Sequence, residues 1–91
     1  MAFVMTRIKV GDYDAWKPSF DKDLPGAREK AKGYRLFRNV DDPAEVFVMV
    51  EFGSTEDAQE GAGRLRASGV LERFTDKYGP TVVEEAEAVS R

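Results

Sequence analysis

Apolar and polar side chains alternate with period two along Ala-Phe-Val-Met-Thr-Arg-Ile-Lys-Val, residues 2–10. Val4, Thr6, Ile8 and Val10 share one face, and Phe3, Met5, Arg7 and Lys9 share the other. This predicts a strand whose two faces both begin apolar. Gly11-Asp12 ends it and supplies an N-cap. Tyr13, Trp16, Phe20 and Leu24 then recur at helical spacing, an aromatic stripe that a helix would lay on something flat. Pro18 conflicts with this, since proline costs about 3 kcal/mol in a helix interior. An irregular opening turn, or a later cap at Asp14, is the expected remedy. Leu24-Pro25-Gly26 breaks the helix, and residues 27–32 read as a short extra turn before Gly33.

A second strand is expected over Tyr34–Val40. Asp42-Pro43 carries the type I turn signal, Asp at position i and Pro at i+1, within a tight connection over residues 40–46. The third strand, Val46-Phe47-Val48-Met49-Val50-Glu51-Phe52, is apolar on both faces until Glu51. A strand buried on both sides is central and needs cover on each face. The helical segments serve one face, and a second copy of the chain is the economical cover for the other. Ser54 caps a helix with acid in its first turn, Glu56 and Asp57. Ala58, Ala62 and Leu65 give it a small-residue stripe, and Gly61 and Gly63 each weaken it by about 1 kcal/mol relative to Ala. Ser68 reads as the cap of a further short helix with Leu71, Phe74 and Tyr78 as its stripe. Lys77-Tyr78-Gly79-Pro80 reads as the stop, and Thr81–Val89 as the final strand.

The order β-α-β-β-α-β in one domain, residues 1–91, fits the α+β ferredoxin-like arrangement: a four-stranded antiparallel sheet with helices on one face. The first and last strands are then neighbours. Arg7 and Lys9 would face Glu84, Glu85 or Glu87, each exposed pair adding about 0.2–1 kcal/mol.

Composition narrows the chemistry. The 91 residues include no Cys and no His, which removes disulfides, thiolate ligands, the commonest metal ligand and the commonest neutral-pH base. Neither Asp41-Asp42 nor Glu84-Glu85-Glu87 has the spacing of a calcium loop, so no metal is expected. Gly61-Ala62-Gly63 is no dinucleotide fingerprint. A net charge of −3, with the basic residues scattered, disfavours nucleic acid. The longest apolar run, Val46–Val50, is too short to span a bilayer, and with no export signal the expected location is cytoplasmic.

The chain resembles the dimeric α+β barrel superfamily, and within it the small antibiotic-biosynthesis-monooxygenase-like proteins. The resemblance covers nearly the whole length. It is carried by the opening strand running into Asp12-Tyr13-Asp14-Ala15-Trp16-Lys17, by Arg35-Leu36-Phe37-Arg38-Asn39-Val40-Asp41-Asp42-Pro43, and by Val50-Glu51-Phe52 entering a capped helix. It implies a homodimer with two sheets packed face to face, and a pocket between each sheet and its helices or loops. The chemistries it brings include cofactor-free oxygenation of aromatic molecules, haem degradation and lactone isomerisation. The His-dependent branches, haem degradation among them, do not fit this chain. Oxygenation without a bound cofactor would deprotonate a phenol and let the resulting carbanion react with dioxygen, with Arg or Tyr stabilising the developing charge.

Five residues are candidates for a site. Trp16 would wall an aromatic pocket, although its spacing with Tyr13 and Phe20 favours the core. Glu51 interrupts an apolar strand face. Buried and unpaired it would have a raised pKa and serve as acid or base; paired with Arg7 or Arg35 it would be structural. Tyr34 and Arg38 share one strand face, and inside a barrel they would suit a phenolic or anionic ligand. Arg7 is a further candidate for ligand binding. An enzyme would gather at least two of Glu51, Tyr34 and Arg38 in a closed pocket. The alternative is a non-catalytic dimeric module that binds a small ligand or serves a partner in its pathway.

Overall fold

A computed structural model describes residues 1–23 and 25–90. The elements are β1 (Ala2–Lys9), α1 (Tyr13–Asp21), β2 (Gly33–Asn39), β3 (Asp42–Phe52), α2 (Thr55–Ser68) and β4 (Lys77–Glu84). They form an antiparallel sheet in the order β2-β3-β1-β4, the α+β ferredoxin-like fold. β3 and β1 lie inside the sheet, β2 and β4 at its edges. β1 realises its period-two pattern: Ala2, Val4, Thr6 and Ile8 are buried, and the residues between them half-buried. Val46, Val48, Val50 and Phe52 of β3 continue the same face. Trp16 of α1 and Ala58 and Ala62 of α2 close over it as the core. No helix among the described residues is long and apolar enough to cross a membrane.

Local chemistry explains the helix ends. Asp12 accepts a hydrogen bond from the Asp14 amide at 3.0 Å, so the cap is Asp12 and not Asp14. α1 tolerates Pro18 in its interior. Proline's fixed φ suits the α region, its ring faces solvent, and what is lost is the one bond Pro18 would have donated to the Asp14 carbonyl. The core contacts of Trp16 outweigh that loss. Leu24, the last member of the predicted aromatic and apolar stripe, lies outside the described residues. Ser54 caps α2 by accepting from the Asp57 amide at 3.1 Å. At its other end Gly69 sits at φ 73°, the left-handed position that glycine takes without steric cost.

That C-cap overturns the short helix expected after Ser68. Ser68 is the last residue of α2, its hydroxyl donating back to the Leu65 carbonyl. Residues 70–73 form turns held by Glu72 N–H to Gly69 and Phe74 N–H to Leu71. Tyr78 belongs to β4 and is exposed, and Lys77-Tyr78-Gly79-Pro80 opens that strand instead of stopping a helix. β4 therefore covers Lys77–Glu84, not residues 81–89. The Gly79–Pro80 bond is cis, and the ladder with β1 shifts register between Met5 and Arg7. The β2–β3 turn also falls earlier than expected, at Val40-Asp41. There the Asn39 side chain accepts from the Asp41 amide at 2.9 Å. Pro43 sits inside β3, where the register skips from Arg38↔Val46 to Asn39↔Asp42. That bulge frees Pro43 from the ladder bond it cannot donate.

The antiparallel register sets Ala2 opposite Glu84 and Arg7 opposite Tyr78. The expected pairing of Arg7 and Lys9 with the terminal glutamates is thus replaced: Glu84 and Glu85 lie beside the start of β1. Register also sorts β2. Tyr34, Leu36 and Arg38 pair with Val50, Val48 and Val46 on the helix side of the sheet. Arg35 and Phe37 pair with Met49 and Phe47 on the side that no helix covers. Phe3, Met5 and Val83 share that open side.

Candidate functional site

Between the sheet and its helices lies a cavity of about 110 Å³. Its floor is the helix side of the two inner strands, Val4, Thr6 and Ile8 from β1 with Val48, Val50 and Phe52 from β3. Trp16 and Phe20 of α1 form one wall, and Leu65 of α2 with Val70, Leu71 and Phe74 forms the opposite one. The cavity exists because α1 touches the sheet mainly at β3 while α2 lies over β1 and β4. The helices splay, and the segments at 25–28 and 70–74 span the gap. Ser19, Asp23, Arg28 and Arg73 bring polar groups to the lining. A ring fits a volume of this order: an apolar cavity of about 150 Å³ holds benzene.

The α1 wall is aromatic in sequence and in space. Tyr13 and Trp16 stand 5.8 Å apart between ring centroids, Trp16 and Phe20 5.0 Å, and Phe20 meets Tyr34 edge-on at 5.2 Å. Arginines cover the outer faces of this ladder. Arg38 lies 4.6 Å over Tyr13, and Arg28 lies 3.8 Å over Phe20 and 5.1 Å from Tyr34, contacts of the cation–π kind. Arg28 also donates to the Phe20 carbonyl and pairs with Asp23 at 3.5 Å. Asp23 in turn accepts from the Ala27 and Arg28 amides, each at 3.1 Å. The one carboxylate lining the cavity is therefore occupied in holding the turn beside it.

The five candidates divide between the two sides of the sheet. Trp16 is buried, part of the core and of the cavity wall at once. Tyr34 and Arg38 stand on the same side, outside the cavity, stacked on its aromatic wall. Glu51 lies on the open side, half-buried, opposite Phe3 and Gly33. No described residue forms an ion pair with it, so neither Arg7 nor Arg35 is its partner here. None of Glu51, Tyr34 and Arg38 lines the cavity.

Arg7 also lies on the open side. Its guanidinium meets Glu45 at 2.5 Å and Asp76 at 2.7 Å. Glu45 accepts in addition from the Asn39 amide nitrogen at 2.8 Å, and Lys9 pairs with Asp42. These contacts shift titration in matched directions. The Asn39 and Arg7 hydrogen bonds hold the Glu45 carboxyl below its usual value, Arg7 lowers that of Asp76, and Lys9 lowers that of Asp42. Arg7, bonded to Asp76 and Glu45, is pushed up. The cluster joins β1, β3 and the approach to β4 at one end of the open side.

Thr6, Phe74, Leu71, Arg28 and Arg73 line the cavity without having been site candidates from the sequence. For Thr6 a signal existed: it is the one polar residue on the apolar face Val4–Thr6–Ile8–Val10. Leu71 and Phe74 showed only as an apolar stripe, and they reach the cavity from turns instead of from a helix; nothing in the spacing of Arg28 and Arg73 marks them.

No family model matches the chain, and no curated protein matches it in sequence. Among solved structures it is similar to Rv0793 from Mycobacterium tuberculosis, with a TM-score of 0.65 and 17% identity over 98% of each chain. It is also similar to a "putative antibiotic biosynthesis monooxygenase" from Deinococcus radiodurans, with a TM-score of 0.66 and 15% identity over 100% of this chain and 98% of that one. At such identities the common property is the fold, and the ferredoxin-like fold of this chain is the one it shares with both proteins over nearly their whole length.

Proposed function

We propose that the protein is a homodimeric α+β barrel that binds a small, largely apolar single-ring molecule between its sheet and its helices. The cavity of about 110 Å³ beside Trp16 and Phe20 carries this reading. It is lined mainly by carbon, as small-molecule sites are, with few polar groups to orient a ligand. The homodimer is supported by the uncovered side of the sheet, where Phe3, Met5, Phe47, Met49 and Val83 are only half-buried.

A second reading is cofactor-independent oxygenation of the bound ring, and its support is the fold shared with the D. radiodurans protein named as a monooxygenase of antibiotic biosynthesis. Abstracting a phenolic proton needs a base in reach of it. Asp23, the carboxylate at the cavity, is engaged by two amides and Arg28. The geometry therefore favours binding, with catalysis dependent on Asp23 being released.

One titration tests both. Toluene and phenol are expected to raise the melting temperature in a saturable way, as ligands of the native state do. Leu65→Trp, which fills the cavity, is expected to abolish that rise while leaving the circular dichroism spectrum intact. Equal shifts in the two proteins, or none in either, would overturn the binding reading. Oxygen uptake that depends on a phenol and on the wild-type cavity would promote the second reading over the first.

A further inference from the structure

Thr6 is the buried polar residue of the core, 3% exposed, and it lies on the cavity floor. Its neighbours on that face, Val4, Ile8 and the paired Val48, are aliphatic. No described residue hydrogen-bonds its side chain, yet no fully enclosed side-chain oxygen or nitrogen lacks a partner. The hydroxyl therefore borders the cavity space and is not sealed against carbon. Valine would fill the same volume without the cost of burying an unpaired hydroxyl, so the position offers a ligand a hydrogen bond at the expense of stability.

The backbone holds that hydroxyl in place. The β1–β4 ladder shifts register between Met5 and Arg7, immediately around Thr6. A Cβ at Gly79, which has φ 91°, would stand 3.3 Å from the Thr6 Cα and 2.5 Å from the Met5 carbonyl oxygen. β4 is thus pressed against β1 at this residue, and only glycine permits it. The extra residue lies on β4, while β1 keeps its regular alternation and its pairing of Thr6 with Val48.

The charge of the buried end follows from what surrounds it. A carboxylate against the Thr6 hydroxyl would find no cation among the floor residues; of the two cations in the lining, Arg28 is committed to Asp23 and the Phe20 carbonyl, and Arg73 is exposed on its turn, its guanidinium 4.7 Å over the Phe74 ring. Burying an unpaired charge is far costlier than burying a hydroxyl. We propose that the ligand class is a neutral single-ring phenol, ring against Trp16 and Phe20, its hydroxyl bonded to the Thr6 hydroxyl on the floor. This rests on the cavity being a binding site, and it adds the group that selects the ligand.

The experiment measures dissociation constants for phenol and toluene, by calorimetry or NMR titration, in the wild type, Thr6→Val and Thr6→Ser. Thr6→Val is expected to weaken phenol about tenfold, equivalent to about 1.4 kcal/mol, while toluene binds as well or better. Thr6→Ser, which keeps the hydroxyl, is expected to restore most of the preference for phenol. Toluene and phenol affinities both unchanged in Thr6→Val would overturn the proposal and leave the cavity standing as a binding site. Absence of binding by either compound to the wild type would overturn both.

Discussion

Arg7 is gripped by carboxylates from two segments, Glu45 at 2.5 Å and Asp76 at 2.7 Å, and this sets the protein's response to acid. Asp42, Glu45 and Asp76 all have lowered carboxyl pKa values in the fold. As pH falls, the unfolded chain takes up protons before the folded one does, so the unfolded state gains. Their contribution is complete above the ordinary carboxylate range, about pH 4, and is lost as pH drops through the lowered folded values. Arg7 and Lys9 are raised, so their contribution is full below their ordinary values and fades only in strong base. Urea midpoints are therefore expected to stay level from pH 8 to 5 and then fall. Arg7→Gln, which releases Glu45 and Asp76, is expected to lower the plateau and flatten the acid fall; a fall as steep as that of the wild type would refute the cluster's role. The same pairing bears on Arg7 as a ligand-binding candidate, because two carboxylates already occupy its guanidinium.

At the scale of elements, Gly61 and Gly63 look alike in the sequence, each a helix-weakening glycine in α2. The fold separates them. A Cβ at Gly61 would meet the Ala27 carbonyl oxygen at 2.6 Å and the Phe52 ring at 2.8 Å, whereas one at Gly63 would meet nothing within 4 Å. Gly63→Ala is expected to stabilise by about 0.5–1 kcal/mol through helix propensity. Gly61→Ala gains the same propensity but forces backbone apart, an overpacking cost of about 1–3 kcal/mol, so it is expected to destabilise on balance. Opposite shifts in urea midpoint would bear this out, and stabilisation by both would show that α2 does not sit so close to the sheet. Legibility divides in the same way. Period-two and helical spacings describe one element's own faces, so β1, the interior position of β3 and the Asp12 and Ser54 caps could be read from them. What could not be read depends on a neighbour: Pro43 and Gly79-Pro80 resemble breaks, yet register shifts against β2 and β1 carry them inside strands. Ser68 resembles a cap because nothing local reveals that Gly69 has already ended α2. The cavity needed side chains from both helices, two strands and two turns, and of its lining only Trp16 stood out beforehand.

For the whole molecule the question is what covers the second side of the sheet. Phe3 and Met5 from β1, Phe47 and Met49 from β3 and Val83 from β4 lie together there, with Phe37 and Tyr78 at its margins, 50% and 57% exposed. A largely apolar side formed by all four strands, with its ion pairs gathered at one end and only Glu51 and Arg35 charged elsewhere on it, is what a sheet presents to another sheet. A second copy matches it without a new surface, since a twofold axis lets one patch serve both partners. A stable contact of this kind buries roughly 800 Å² on each partner. Light scattering on a sizing column is expected to give twice the chain mass of 10.2 kDa at micromolar concentration. The melting temperature should rise with concentration, as it does when folding and association are linked. Met49→Asp puts a charge in the middle of the patch and is expected to yield a folded monomer whose melting no longer depends on concentration. A wild-type monomer would leave the exposed aromatics without a partner and refute the dimer. A Met49→Asp dimer would move the interface elsewhere. The cavity opens on the other side of the sheet, so the monomeric variant should still bind toluene, and this separates assembly from recognition in one protein.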